Sequence, residues 1–161
     1  MASVGSTSRA RFTALIGKIT AHIGKRALDG ELETDLNKTF PTTGAEAREL
    51  VASCQSAIAE GWMCAREAGG IRYGRVIKPD MTTQGFSVDV VDMQPLAGPH
   101  HRHPHGEIDF IMPLDENAEF DGRPAGWLVY GPGSAHSPTV TGGRALVLYL
   151  LPQGAIEFTK D

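Results

Sequence analysis

The hydrophobic period of this chain changes once, near Gly61, and that change limits the fold more than any other feature. Before it the apolar residues recur at helical spacing. From about Arg9 to Lys25, Phe12, Leu15, Ile16, Ile19 and Ile23 form one stripe, and Gly24 is placed to end the helix. Residues 1–8 are rich in Ser and Gly and are expected to fray. Asp29 to Phe40 is polar and less regular, with a short helix predicted around Leu32 to Asn37 and Pro41 closing it. Thr43 and Glu46 fit a capping box that opens a helix to about Glu60, with Leu50, Val51, Cys54 and Ile58 as its buried stripe. After Gly61 the pattern is that of strands. Trp62 to Glu67, Ile71 to Ile77 and Gly85 to Met93 are strand-length, separated by Gly69-Gly70 and Lys78-Pro79-Asp80. Phe86, Val88 and Val90 alternate with Ser87 and Asp89. Glu107 to Met112, Trp127 to Tyr130, Thr139 to Val140 and Arg144 to Leu151 follow, the last almost wholly apolar and therefore central.

Seven or more short strands with turns between them read as a mainly β protein: a small double-sheet barrel preceded by two or three α-helices. The 19 glycines and 10 prolines supply the turns. A chain of 161 residues is expected to be one domain, with about 9–60 as a helical extension and about 61–161 as the barrel. The helical stripes need cover, either from the barrel or from a second subunit in a homodimer or larger homo-oligomer. A net charge of −4 gives no electrostatic reason to expect nucleic acid or an anionic membrane as partner. Cys54 and Cys64 form no C-x-x-C pair and read as core thiols. No apolar run approaches a membrane span and Met1 to Arg11 holds no apolar signal core, so a cytoplasmic protein is expected.

The chemistry is concentrated in Gly98-Pro99-His100-His101-Arg102-His103-Pro104-His105-Gly106-Glu107. Five of the 6 histidines lie between His100 and His136. Unpaired imidazoles are costly to bury, so such a cluster points to a shared ligand. On an extended chain His101, His103, His105 and Glu107 would share one face, and His136 adds an imidazole from another strand. Three or four nitrogen and oxygen donors of this kind are what a divalent metal requires.

The spacing His101-x-His103-x3-Glu107, with Gly133-Ser134-Ala135-His136 beyond it, resembles the two metal motifs of the cupin superfamily. That resemblance implies a double-stranded β-barrel with His101, His103, Glu107 and His136 as metal ligands. The chain departs from the pattern at Leu114, where a glycine is expected, and at Val140, where an asparagine is; His105 stays an alternative member. A second resemblance spans most of the chain. Trp62-Met63-Cys64, Arg66-Glu67-Ala68-Gly69-Gly70, the Gly98 to Glu107 run and Val129 to His136 are similar to the small bacterial 4-hydroxylaminobenzoate lyases. It implies conversion of 4-hydroxylaminobenzoate and water to 3,4-dihydroxybenzoate and ammonia in nitrobenzoate degradation.

The residues suit that reaction. It is redox-neutral, and no dinucleotide fingerprint is present. A divalent ion (Fe, Mn, Zn or Ni) would act as Lewis acid toward the departing hydroxide. His105, Asp109, Tyr130 and Glu67 are candidates for proton transfer. The partner would be a small aromatic carboxylate, for which a planar guanidinium is the natural anchor. Arg66, Arg72, Arg75 and Arg144 are available, with Arg72 or Arg75 favoured. Trp62, Tyr73, Phe86 and Trp127 are candidates to stack on the ring. A metal-dependent dioxygenase and a non-enzymatic small-molecule binder are the alternatives.

Overall fold

The computed structural model describes residues 4–159, with side chains from residue 8 onward. Three helices come first: α1 (Val4–Ile23), α2 (Gly30–Thr39) and α3 (Ala45–Glu60). Twelve strands follow: β1 (Arg66–Ala68), β2 (Ile71–Ile77), β3 (Phe86–Met93), β4 (Leu96–Ala97), β5 (His101–His103), β6 (Glu107–Pro113), β7 (Glu119–Phe120), β8 (Gly126–Tyr130), β9 (Ser134–His136), β10 (Thr139–Thr141), β11 (Ala145–Pro152) and β12 (Glu157–Phe158). The first helix thus begins before Arg9, where the stripe starts, and only residues 1–3 of the segment expected to fray lie outside the description. The capping box at Thr43 does not form. Gly44 is the N-cap without a side-chain bond, and Glu46 instead pairs with Lys18 of α1 at 2.9 Å. Of the strand expected over Trp62 to Glu67, only the end forms, as β1.

All strand pairs are antiparallel. A six-stranded sheet runs β1-β2-β3-β11-β6-β8, and two three-stranded sheets run β4-β10-β7 and β12-β5-β9. The central position of β11 follows from its composition, since every residue from Ala145 to Leu151 is buried. Side chains alternate across the large sheet. Val88 and Val90, Ile108, Phe110 and Met112, and Leu146, Leu148 and Leu150 face the helices and join one core with Phe12, Ile16, Leu36, Leu50 and Cys54. Val147, Ile111, Leu128 and Tyr149 face the other way and meet Phe120 and Val140 of the small sheet. The result is the expected mainly β architecture, a double-stranded barrel preceded by three helices. The helical stripes are covered by the barrel of the same chain.

Edge strand β8 is closed by side chains of α2. Asn37 accepts from the Trp127 N–H at 2.9 Å and donates to its carbonyl at 3.0 Å, while Glu33 accepts from the Val129 N–H at 2.9 Å. A helix thereby supplies the bonds that a further strand would otherwise make. No helix among the described residues is long and apolar enough to cross a membrane.

Candidate metal centre

Strands β5 and β9 pair with His101 opposite His136 and His103 opposite Ser134. After His103 the chain turns: the Gly106 N–H bonds the His103 carbonyl at 3.2 Å and Gly106 adopts φ +89°. Only glycine fits there, because a Cβ would lie 2.7 Å from the Tyr130 carbonyl oxygen. The turn delivers Glu107 to the start of β6, opposite Tyr130. One donor atom from each of His101, His103, Glu107 and His136 lies within 4.8 Å of the others. The three imidazole centroids form a nearly equilateral triangle, 4.7 to 4.8 Å on each side.

Each ring is oriented from behind. His101 Nδ1 faces the Pro99 carbonyl at 3.2 Å, His103 Nδ1 the Ser134 hydroxyl at 2.9 Å, and His136 Nδ1 Asp121 Oδ2 at 2.5 Å. A carbonyl and a carboxylate can only accept, so His101 and His136 carry their protons on Nδ1 and direct Nε2 lone pairs inward. Those two Nε2 atoms are 3.1 Å apart. His103 Nε2 is 3.2 Å from Glu107 Oε2 but not aligned with it; it and both Glu107 oxygens are buried without a hydrogen bond. A buried group of nitrogen and oxygen atoms that face one another and lack hydrogen-bond partners is what a bound cation satisfies. The residues present therefore fit a divalent metal.

The electrostatics agree. Burial lowers the His101 pKa to about 4, against the opposing pull of Glu107, and the neighbouring imidazoles add to the fall, so the ring stays neutral at neutral pH. Burial works against Asp121 ionising, but hydrogen bonds from His136 and Tyr130 hold its carboxyl below the usual range. Asp109, two residues beyond Glu107 on the same face, is fully buried and neither oxygen has a hydrogen bond. Burial first, then the charge of Glu107, pushes its carboxyl well up. Burial and the bond to Asp121 likewise raise the Tyr130 phenol.

Beside the cluster opens a cavity of about 770 Å³ with His101 on its wall. Its apolar lining includes Ile71, Val91, Met93 and Phe158; its polar lining includes Tyr73, Arg75, Asp89 and Tyr149. Arg75 pairs with Asp89 through two bonds of 3.0 and 3.2 Å and reaches the Gly154 carbonyl at 3.3 Å. Despite that partner, burial raises the Asp89 pKa.

The structure separates the sequence candidates. Tyr130 and Asp109 lie at the cluster and Arg75 in the cavity. His105 does not share the face of His101 and His103. The turn at Gly106 breaks the alternation and leaves its side chain exposed. Arg72 and Glu67 are cross-strand partners, exposed and outside the cavity lining; one residue of offset from Tyr73 puts Arg72 on the opposite face from Arg75. Trp127 is core: its indole donates to the Phe40 carbonyl at 3.0 Å and its ring packs on Phe110 at 4.6 Å. Arg144 is held by Asp92 at 2.7 Å. Both cysteines are buried and free, and burial pushes each thiol to about 12. Reading the sequence missed Asp121, Ser134 and Tyr149. Asp121 precedes Gly122 as turn-type sequence, and no local pattern reveals that its carboxylate meets His136 from a backbone at φ +50°.

Fold and donor set together define the class: a small double-stranded β-barrel whose interior holds a cluster able to bind a divalent metal. Residues 14–158 match the family described as PnbB, 4-hydroxylaminobenzoate lyase. This chain belongs to that family. A 4-hydroxylaminobenzoate lyase from Nocardioides sp. (strain LMS-CY) is 35% identical over 144 residues, covering 83% of this chain and 84% of that protein. One from Pseudomonas putida is 28% identical over 155 residues, covering 86% and 88%. Among solved structures, an RmlC-like cupin protein from Ralstonia eutropha aligns with a TM-score of 0.45 at 14% identity, covering 60% of this chain and 64% of that one.

Proposed function

We propose that this chain is an ammonia-releasing lyase that converts 4-hydroxylaminobenzoate and water to 3,4-dihydroxybenzoate. One observation carries the reading: a cluster of three imidazoles and a carboxyl group adjoins, through His101, a cavity that is apolar in part and also presents guanidinium groups. Membership of the lyase family names the substrate. The reaction needs no oxidant. The N–O bond breaks with its electron pair leaving on oxygen, water oxygen adds to the ring beside the nitrogen-bearing carbon, and a second water replaces nitrogen as ammonia.

The residues divide the work. Arg75, oriented by Asp89, receives the substrate carboxylate, with Arg66 and Lys78 adding positive charge to the cavity lining. Ile71, Val91 and Met93 give the ring an apolar wall. A first-row divalent ion held by His101, His103, Glu107 and His136 would supply Lewis acidity toward the departing oxygen. Asp121 fixes the His136 ring and is itself held by Tyr130 Oη at 2.5 Å and the Thr139 N–H at 2.9 Å. Asp109 and Tyr130, flanking Glu107 on one face, keep protons at Asp109 Oδ and Tyr130 Oη beside the donors. In a cell that uses nitrobenzoates, the step consumes the product of partial nitro-group reduction.

The test is an anaerobic incubation with 4-hydroxylaminobenzoate, following ammonia and the catechol product. Equal amounts of both, formed without dioxygen, are expected. A requirement for dioxygen would replace the lyase reading with a dioxygenase.

A further inference from the structure

The interior face of the large sheet carries a polar row that runs straight across four strands. Arg75 of β2 stands opposite Asp89 of β3, Asp89 opposite Tyr149 of β11, and Tyr149 opposite Asp109 of β6. Adjacent strands lie ~4.8 Å apart, so Tyr149 sits one step from the ion pair and one step from the acid that follows Glu107. The other interior positions of β11, Ala145, Val147 and Leu151, are apolar. A phenylalanine would meet the packing need at this position, where the ring contacts Phe120 at 6.3 Å between centroids. The hydroxyl is therefore what tyrosine adds.

That hydroxyl makes no hydrogen bond among the described residues; the residue is only 7% exposed, and the exposed part lies on the cavity. Buried tyrosines normally find a partner for their O–H. Here the residue lines the cavity together with His101 and Arg75. We propose that Tyr149 Oη is a substrate contact that donates a hydrogen bond to the oxygen bound to the para nitrogen, so that the row from Arg75 to Tyr149 measures a para-substituted benzoate. The inference rests on the lyase reading for its role in turnover. As the N–O bond breaks and the electron pair leaves on oxygen, Tyr149 stabilises that oxygen and keeps its own proton; the proton released when water adds to the ring neutralises the hydroxide. Burial and the nearby charge of Glu107 raise the phenol well above its ordinary range, which suits a group that only donates.

Y149F in the full chain tests this, with thermal melting to show that the fold is kept. Two stable probes, 4-hydroxybenzoate and benzoate, are titrated calorimetrically. The wild type is expected to prefer 4-hydroxybenzoate by about fivefold, the factor for one ordinary net hydrogen bond, and Y149F to lose that preference with benzoate affinity unchanged. A merely structural tyrosine would weaken both probes alike. In turnover, Y149F should lower kcat by roughly 10- to 100-fold and raise KM by about fivefold, the kcat loss being short of a full oxyanion contact. An unchanged probe preference in Y149F, or no preference in the wild type, overturns the contact. Loss of preference in Y149F from a wild type that turns over no hydroxylaminobenzoate upholds the contact and removes the lyase reading instead.

Discussion

The two faces of the six-stranded sheet are made by the same strands and obey opposite rules. Toward the helices, Val88, Val90, Ile108, Phe110, Leu146, Leu148 and Leu150 are at most 1% exposed and entirely apolar. Toward the barrel interior, Asp89, Glu107, Asp109 and Tyr149 are set among apolar neighbours, and the buried Glu107 and Asp109 carboxyl groups find no partner beyond each other. One face holds groups that satisfy each other completely. The other holds groups that satisfy each other badly and await something else. Buried polar groups left unpaired reduce stability, so their concentration on one face marks where stability has been given up for chemistry.

Substitutions on the two faces should therefore separate folding from activity. On the helix side, Phe110→Ala removes a ring packed between Trp127 and the helical core and should destabilise the protein by about 3–5 kcal/mol. Denaturant titration measures this, and the fraction that remains folded should keep its metal content. On the interior side, a His101→Ala, His136→Ala double variant should reduce bound divalent metal from about one ion per chain to background. Its activity should fall by two orders of magnitude or more, roughly 2.7 kcal/mol at least. Unchanged metal by elemental analysis in a folded variant would remove these residues from the ligand set.

Smaller effects sharpen the same contrast. Asp121→Asn keeps the shape but weakens the hold on His136 Nδ1, and should lower metal affinity by about 10- to 100-fold in competition with a chelator. Arg75→Lys retains the charge but loses the planar fork held by Asp89, and should raise KM about tenfold with a smaller change in kcat. His105→Ala, at an exposed turn, should leave metal content unchanged and stability within ~0.5 kcal/mol. A loss of metal there would return His105 to the site.

The sequence by itself determined the order of the fold and where its chemistry gathers. Helical spacing at Phe12, Ile16 and Ile19 and alternation at Phe86, Val88 and Val90 are local records of which face is buried, and burial is what the folded chain enforces. The spacing of His101, His103 and Glu107 was legible because donors on one short stretch stay close in space. His105 was misjudged because strict alternation assumes an unbroken strand, and the close approach of Gly106 to the Tyr130 carbonyl is made by a segment more than twenty residues away. Only the tertiary structure decided which arginines line the cavity, that Trp127 belongs to the helical core, and that Asp121 stands behind His136. It alone aligned Arg75, Asp89, Tyr149 and Asp109 across four strands. Cross-strand register is set by long-range pairing, and no residue's immediate neighbours in the chain carry a record of it.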